Sequence, residues 1–278
     1  MKVLKFGGTS VGSVEAIKQV ASIVKQGADD GQQQVVVVSA FSGVTNELEE
    51  LARLASSGDK AYLEVLEKLA AKHYQVYDTL TPGADRQFLD ENIALLTDVL
   101  QGIYLLKELT AKSDAYVMSF GERMSSYIIA EYFNTLVETK RFDSRDYLIV
   151  NQDVSVTAID HKRSIQRIGA IDSFAQVNVF PGFIASTTEG ITTTLGRGGS
   201  DYSAALFANL FNATELEIWT DVSGLLSADP NLVKQARVIE HLSYEEAMEL
   251  SHFGAKVIYP PSIQPALSKG IPILIKNT

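Results

Sequence analysis

The chain contains no cysteine, which removes disulfide staples, thiolate nucleophiles and cysteine-ligated zinc together. Histidine is scarce as well. His73, His161, His241 and His252 are scattered along the sequence, and each reads as a surface or core residue rather than a ligand. Cations are outnumbered, 24 lysines and arginines against 34 aspartates and glutamates, for a formal net charge of −10. That balance argues against nucleic acid or an anionic membrane as the main partner. Any bound anion must then be met by a local cluster of cations and backbone N–H groups. No apolar run approaches the roughly 18 residues of a membrane-spanning helix. Met1–Gly8 holds too short an apolar stretch for a secretory signal, so a cytoplasmic protein is expected. The sequence also lacks a G-x-x-x-x-G-K-[ST] loop, a G-x-G-x-x-G fingerprint and an H-E-x-x-H pair. No internal repeat, low-complexity tract or obvious linker divides it.

What is present is an ordinary globular composition, 278 residues of which 46% are hydrophobic, enough to bury a sizeable core. Val3–Phe6 reads as a strand, Gly7-Gly8-Thr9-Ser10 as a turn, and Ser13 as the cap of a helix running to Gly27. Val35–Val38 is a β-branched run of the kind buried on both faces of a parallel sheet. From about Asn46 to Lys112 the pattern is helical, broken at Pro82-Gly83. Tyr116–Phe120 is expected to be a strand leading through Gly121-Glu122-Arg123 into a helix that ends near Tyr132. Further strands are expected at Tyr147–Val150, Val177–Ile184, Gly190–Leu195, Glu215–Thr220 and Ile273–Lys276. Helices are expected at His161–Ala175, from Asp201 to about Phe211, and at Tyr244–Ser251. Strand, glycine turn, helix and buried strand open an α/β fold. The whole is read as one compact α/β/α domain with two lobes flanking a cleft.

Three segments hold chemistry. In Lys5-Phe6-Gly7-Gly8-Thr9-Ser10, two glycines after a strand let the backbone approach an anion, and Lys5 would lie beside that pocket. Equally, this is a tight turn with a surface lysine. In Thr194–Ser203, Gly196, Gly198 and Gly199 precede Ser200 and Asp201 at a helix start, which makes an anion nest. Arg197 offers it a planar fork suited to a carboxylate. Asp201 could instead be a plain helix-start carboxylate, but such a cap needs neither the glycines nor the arginine. The third segment, Trp219-Thr220-Asp221 with the following turn to Asp229, puts polar groups at the end of a strand, where ligands of α/β sheets bind. Read structurally, it is an unremarkable turn. Two phosphate-type loops, several cations and no nucleophile paired with a base describe phosphoryl transfer by positioning and electrostatics.

Together these motifs resemble the amino-acid kinase family, and within it the aspartokinases. Lys5–Ser10 is similar to the family's K-F-G-G-T-S, Phe120-Gly121-Glu122 to its F-G-E, and Leu195–Ala205 to its L-G-R-G-G-S-D-Y-S-A-A. Glu217–Val222 and Glu245–Lys256 continue the match in order, and the helical stretch after Asn46 looks most like the bifunctional aspartokinase–homoserine dehydrogenases. The resemblance implies a three-layer α/β/α amino-acid kinase fold with a mainly parallel central sheet. It implies an N-terminal aspartate-binding lobe over about 1–190 and an ATP-binding lobe over about 191–278. Regulatory ACT domains and a dehydrogenase part are absent, so the chain is expected to be an isolated catalytic domain. The full-length protein is expected to be a homo-oligomer and a possible fusion to those domains.

The implied reaction is transfer of the ATP γ-phosphoryl group to the β-carboxylate of L-aspartate, the first step toward lysine, threonine and methionine. By resemblance, Lys5 and Lys256 would flank the phosphates and Asp201 would organise the lysines. Gly7, Gly8, Thr9 and Ser10 would contact the nucleotide, as would Thr220, Asp221, Leu226, Asp229 and Asn231. Arg197 would pair with the α-carboxylate of aspartate and Glu122 with its ammonium, while Ser39, Ala40, Thr45 and Ser200 would line its pocket. Mg²⁺ is expected through ATP oxygens. Leu226 stands where the family has Tyr, Asn231 where it has Arg, and Tyr259-Pro260-Pro261 where it has H-P-R. A glutamate 5-kinase or acetylglutamate kinase type of enzyme, or a non-catalytic amino-acid or nucleotide sensor, is the alternative.

Overall fold

Alternation along two neighbouring strands decides the layering. In β1 (Lys2–Phe6), Val3 and Lys5 face one side and Leu4 and Phe6 the other. In β2 (Gln34–Val38), Val35 and Val37 likewise oppose Val36 and Val38, and the whole strand is buried. A strand of this composition needs cover on both faces. The structure, a computed structural model, describes residues 1–151, 158–222, 224, 226–227, 233–252 and 259–278.

Beside these strands lie β3 (Thr139–Arg141), β5 (Val177–Pro181), β8 (Leu216–Thr220) and β9 (Ile273–Asn277). They form a six-stranded sheet in the order β3-β5-β2-β1-β8-β9, with every pairing parallel. A three-stranded sheet is made by β4 (Ile149–Val150), β6 (Ile184–Thr187) and β7 (Thr192–Thr194), the last two antiparallel.

Leu4, Phe6, Val36 and Val38 merge with the apolar faces of α1 (Val14–Asp29), α2 (Val44–Ser56), α3 (Tyr62–Leu80), α4 (Gln87–Leu106) and α5 (Ala111–Asn134). On the other face, Val3, Val35 and Val37 meet α7 (Gly199–Leu210) and α9 (Pro260–Leu267). The remaining described α-helices are α6 (His161–Gly169) and α8 (Tyr244–His252), and a 3-10 turn covers Ser144–Asp146. This is the expected three-layer α/β/α arrangement with a mainly parallel sheet. No helix among the described residues is long and apolar enough to cross a membrane.

The expected strand at Tyr116–Phe120 is instead the second and third turns of α5. Its residues have strand-like composition, but a capping box between Thr110 and Ser113 starts a helix upstream. Buried Val117, Phe120, Met124 and Ile128 then recur at helical spacing. The helix expected over His161–Ala175 ends at Gly169, and β3 and α9 were not foreseen.

The sheet order also fixes where a ligand can enter. From β1 the chain passes through α1 to β2 on one side, whereas the other parallel neighbour of β8 is β9 on the opposite side. The connections leaving β1 and β8 therefore diverge at their carboxyl ends, which opens a crevice there.

Candidate active site at the carboxyl ends of the central strands

A cleft of about 1020 Å³ occupies that crevice, lined by the turn after β1, the turn after β2, Glu122 of α5, the loop before α7 and the end of β8. Lys5 reaches it because strand alternation puts Lys5 on the same face as Val3, toward α7. There its Nζ lies 2.7 Å from Oδ1 of Asp201, in the first turn of α7. Both side chains are mostly buried, so the pair is only weakly screened.

Backbone donors converge on the same space. α7 starts from Gly198 at φ 68° and α2 from Gly43 at φ 84°, left-handed positions that suit glycine. Neither helix start receives a side-chain capping bond, so both present unpaired N–H groups and the positive end of a helix dipole. Both starts line the cleft, together with Gly7, Gly8 and Thr9. Gly8 is needed for close approach, since a Cβ there would lie 3.2 Å from the Ala40 carbonyl. In a chain of net charge −10, this cleft gathers a lysine, an arginine and several free N–H groups, features that suit anions, alongside the carboxyls of Glu49, Glu122, Asp201 and Asp221.

The opposite wall is a carboxylate that has been taken out of water. Glu122 is 3% exposed, its Oε1 accepts from the Ala40 N–H at 3.2 Å, and its Oε2 is buried without a partner. Burial pushes its carboxyl up to about 8, with the Ala40 bond pulling only partly back. A buried acceptor atom with no donor, facing a cleft, is the complement of a cationic ligand group. The helix also brings Ser125, whose hydroxyl donates to the Ser39 carbonyl at 2.8 Å. α5 comes this near because of Gly121: a Cβ there would sit 2.8 Å from that of Ala40.

The other residues singled out from sequence are placed as follows. Ser39, Ala40, Thr45, Arg197, Ser200, Thr220 and Asp221 all line the cleft. The Arg197 guanidinium lies over the Tyr259 ring, 5.5 Å from its centroid. Thr220 donates to the Asp221 carboxylate at 3.1 Å. Ser10 is buried below the cleft, its hydroxyl 2.6 Å from that of Thr278 and also donating to the Trp219 carbonyl. Leu226 forms an isolated bridge with Val238 and is not part of the lining. Lys256, Asp229 and Asn231 lie outside the described residues.

Sequence reasoning missed Phe183. It lines the cleft at φ 65°, a strained backbone for a bulky residue and a common mark of functional walls. Its N–H donates to Ser203 Oγ at 2.9 Å, and its ring abuts Gly199, where a Cβ would lie 2.5 Å away. The break after Pro181-Gly182 was the available signal.

The profile of the family described as "Amino acid kinase family" matches residues 1–277. A bifunctional aspartokinase/homoserine dehydrogenase 1 (chloroplastic) of Arabidopsis thaliana is 38% identical over 99% of this chain, which spans 31% of that protein. An aspartokinase of Chlamydia trachomatis is 33% identical over 99% of this chain and 61% of its own length. Among solved structures, E. coli aspartokinase III in complex with aspartate and ADP superposes with a TM-score of 0.87 at 30% identity, over 100% of this chain and 62% of that one. The chain thus spans about a third of the bifunctional relative and about three fifths of these two aspartokinases.

Proposed function

From the premise that the chain belongs to the amino acid kinase family, we propose that it transfers the γ-phosphoryl group of Mg·ATP to the side-chain carboxylate of L-aspartate, giving an acyl phosphate. The observation that carries this reading is one cleft holding a buried Lys5–Asp201 pair, two uncapped helix starts and, facing them, a desolvated carboxyl with a free oxygen. The pair and the start of α7 suit transferring phosphates, the start of α2 suits a carboxylate of the acceptor, and the buried carboxyl suits the ammonium of an amino acid. The names of the relatives and the aspartate and ADP bound to E. coli aspartokinase III support the same choice.

In this reading one oxygen of the aspartate β-carboxylate attacks Pγ, the bond from Pγ to the β,γ-bridging oxygen breaks, and ADP departs with that electron pair. The attacking carboxylate has an ordinary value of about 3.9 and is already ionised, so no general base is required. Lys5 neutralises charge as two anions approach, while Asp201 fixes the ammonium in place. Arg197 takes the α-carboxylate and Glu122 the α-ammonium, with Ser39, Ala40, Thr45 and Ser200 shaping the acceptor pocket. Gly7, Gly8, Thr9, Thr220 and Asp221 receive the nucleotide, with Lys256 as a second phosphate cation and Leu226, Asp229 and Asn231 as further nucleotide contacts. The described residues gather no group of three potential metal ligands, and Mg²⁺ enters as part of the Mg·ATP substrate.

The test is an acyl-phosphate trap: the chain with Mg·ATP, L-aspartate and hydroxylamine, following aspartyl hydroxamate alongside ADP. Aspartate-dependent hydroxamate is expected. Hydroxamate with glutamate or N-acetylglutamate but not aspartate would reassign the acceptor, and ATP consumption with none of them would overturn the proposal.

A further inference from the structure

The turn after β2 is gripped from behind by a helix that never reaches the cleft. Lys72 of α3 donates from Nζ to the Ser42 carbonyl at 2.8 Å and pairs with Glu47 of α2 at 3.4 Å. The next residue, His73, stacks its ring on Phe41 with centroids 5.2 Å apart and 22° between planes. His73 is fully buried, its Nδ1 is 2.7 Å from the Leu69 carbonyl, and its Nε2 has no partner. It is therefore a neutral packing ring, held well below the ordinary histidine value, to about 4, by burial.

These contacts fall on one short piece of backbone. Ser42 follows Phe41 and precedes Gly43, whose left-handed φ of 84° starts α2. The Val44 N–H donates back to the Phe41 carbonyl at 3.0 Å, leaving the Ser42 carbonyl as the turn's outward acceptor, and Lys72 takes it. With Ser39 held by Ser125 and Ala40 by Glu122, Lys72 and His73 secure the far end of the turn. Ser42, Gly43, Thr45 and Asn46 line the cleft and belong to the uncapped start of α2. A lysine outside the cleft thus holds the backbone carbonyl just before those N–H groups.

We propose that Lys72, with His73 packed under Phe41, is a positioning residue of the acceptor pocket, aiming the N-terminal N–H groups of α2 at the acceptor's carboxylate. It touches neither substrate. The inference deepens the proposed aspartate kinase reading, because it gives the helical block a share in acceptor recognition.

The test compares the wild-type chain with Lys72→Met, which keeps the aliphatic stem, and Lys72→Arg, which keeps a donor. In steady-state kinetics Lys72→Met is expected to raise the aspartate KM about tenfold, the usual scale for losing a charged hydrogen bond. The ATP KM and kcat are expected to stay within about twofold, and Lys72→Arg to recover most of the loss. Hydrogen–deuterium exchange gives a readout free of activity: amides of 41–46 should exchange about tenfold faster in Lys72→Met, with β1 and β8 unchanged. Unchanged exchange at 41–46 would overturn the proposal, as would equal changes in both KM values. Should the wild type give no aspartate-dependent product, the function reading fails while the exchange comparison still decides the role of Lys72.

Discussion

The two walls of the cleft are built on different principles. The wall made by Glu122, Ala40 and Phe41 is dry, with Glu122 and Phe41 3% and 2% exposed, and Ser125 and Glu122 tie it to the β2 turn. The tip of that turn, Ser42 and Gly43, is exposed and is held by Lys72. At the end of β8 the wall is wet, with Thr220 half-buried, Asp221 exposed, and the Asp221 carboxylate bonded to its neighbour Thr220. Charge in the dry wall acts through a low dielectric and costs much to leave unpaired. In the wet wall each charge is screened and contributes little alone. In the proposed reading, recognition of a small acceptor is thus concentrated in a few groups, and recognition of a nucleotide is spread over many weak ones.

Lys5 stands at the joint between the walls, and its removal gives the largest expected effect. Lys5→Ala should lower kcat by two to three orders of magnitude, roughly the cost of losing one preorganised donor to a developing charge, with the far-ultraviolet circular dichroism unchanged. Turnover near that of the wild type would remove the joint from the mechanism. Next, Glu122→Gln should weaken aspartate binding by about 10- to 100-fold, the range for a lost charged hydrogen bond, while ADP binding measured by calorimetry stays level. Its counterpart in the wet wall, Asp221→Ala, should raise the ATP KM by no more than about fivefold and leave the aspartate KM alone. If the two substitutions have equal effects, the contrast between walls fails.

Glu122 also predicts a pH signature. Its folded value, about 8, is raised above the unfolded value near 4.5, so the native state holds the proton more tightly. The stability tied to that proton is complete below about pH 4.5 and is lost as pH rises toward 8. Glu122→Gln, which needs no buried charge, should therefore unfold at a higher temperature than wild type at pH 8, with the gap closing at pH 5. In the wild type an ammonium ligand needs the ionised form, so the aspartate KM should fall between pH 6 and 8. The smallest effect is expected below the cleft: Ser10→Ala should cost about 1 kcal/mol of stability and change the ATP KM less than about threefold.

Much of the fold could be read because composition and position agreed. The valines of β2 fit a strand covered on both faces, and Ser13 does cap α1, accepting from the Ala16 N–H. The glycine turn after β1 and the glycine loop before α7 were legible as backbone open to a ligand, and both line the cleft. Tyr116–Phe120 failed because strand-like residues sit inside a long helix whose start, at Thr110, was not weighed. Lys72 and His73 were invisible as site residues for a different reason. Their partners, Ser42 and Phe41, are 30 or more residues away in sequence, and a carbonyl or a ring face leaves no motif.

The placing of β1 has a consequence for how the chain acquires its chemistry. Val3 pairs with Val35 on one side but with Leu216 on the other, and Lys5 meets Asp201 only across nearly the same separation. β1 is therefore completed by a strand 213 residues further along, Val3 to Leu216, a contact that loop-closure entropy makes slow. Until β8 and α7 are in place, one hydrogen-bonding edge of β1 stays open and Lys5 lacks Asp201, which leaves the folding chain exposed to misassembly. The Lys5–Asp201 pair and the closing of β1 against β8 both depend on the same distant half of the chain.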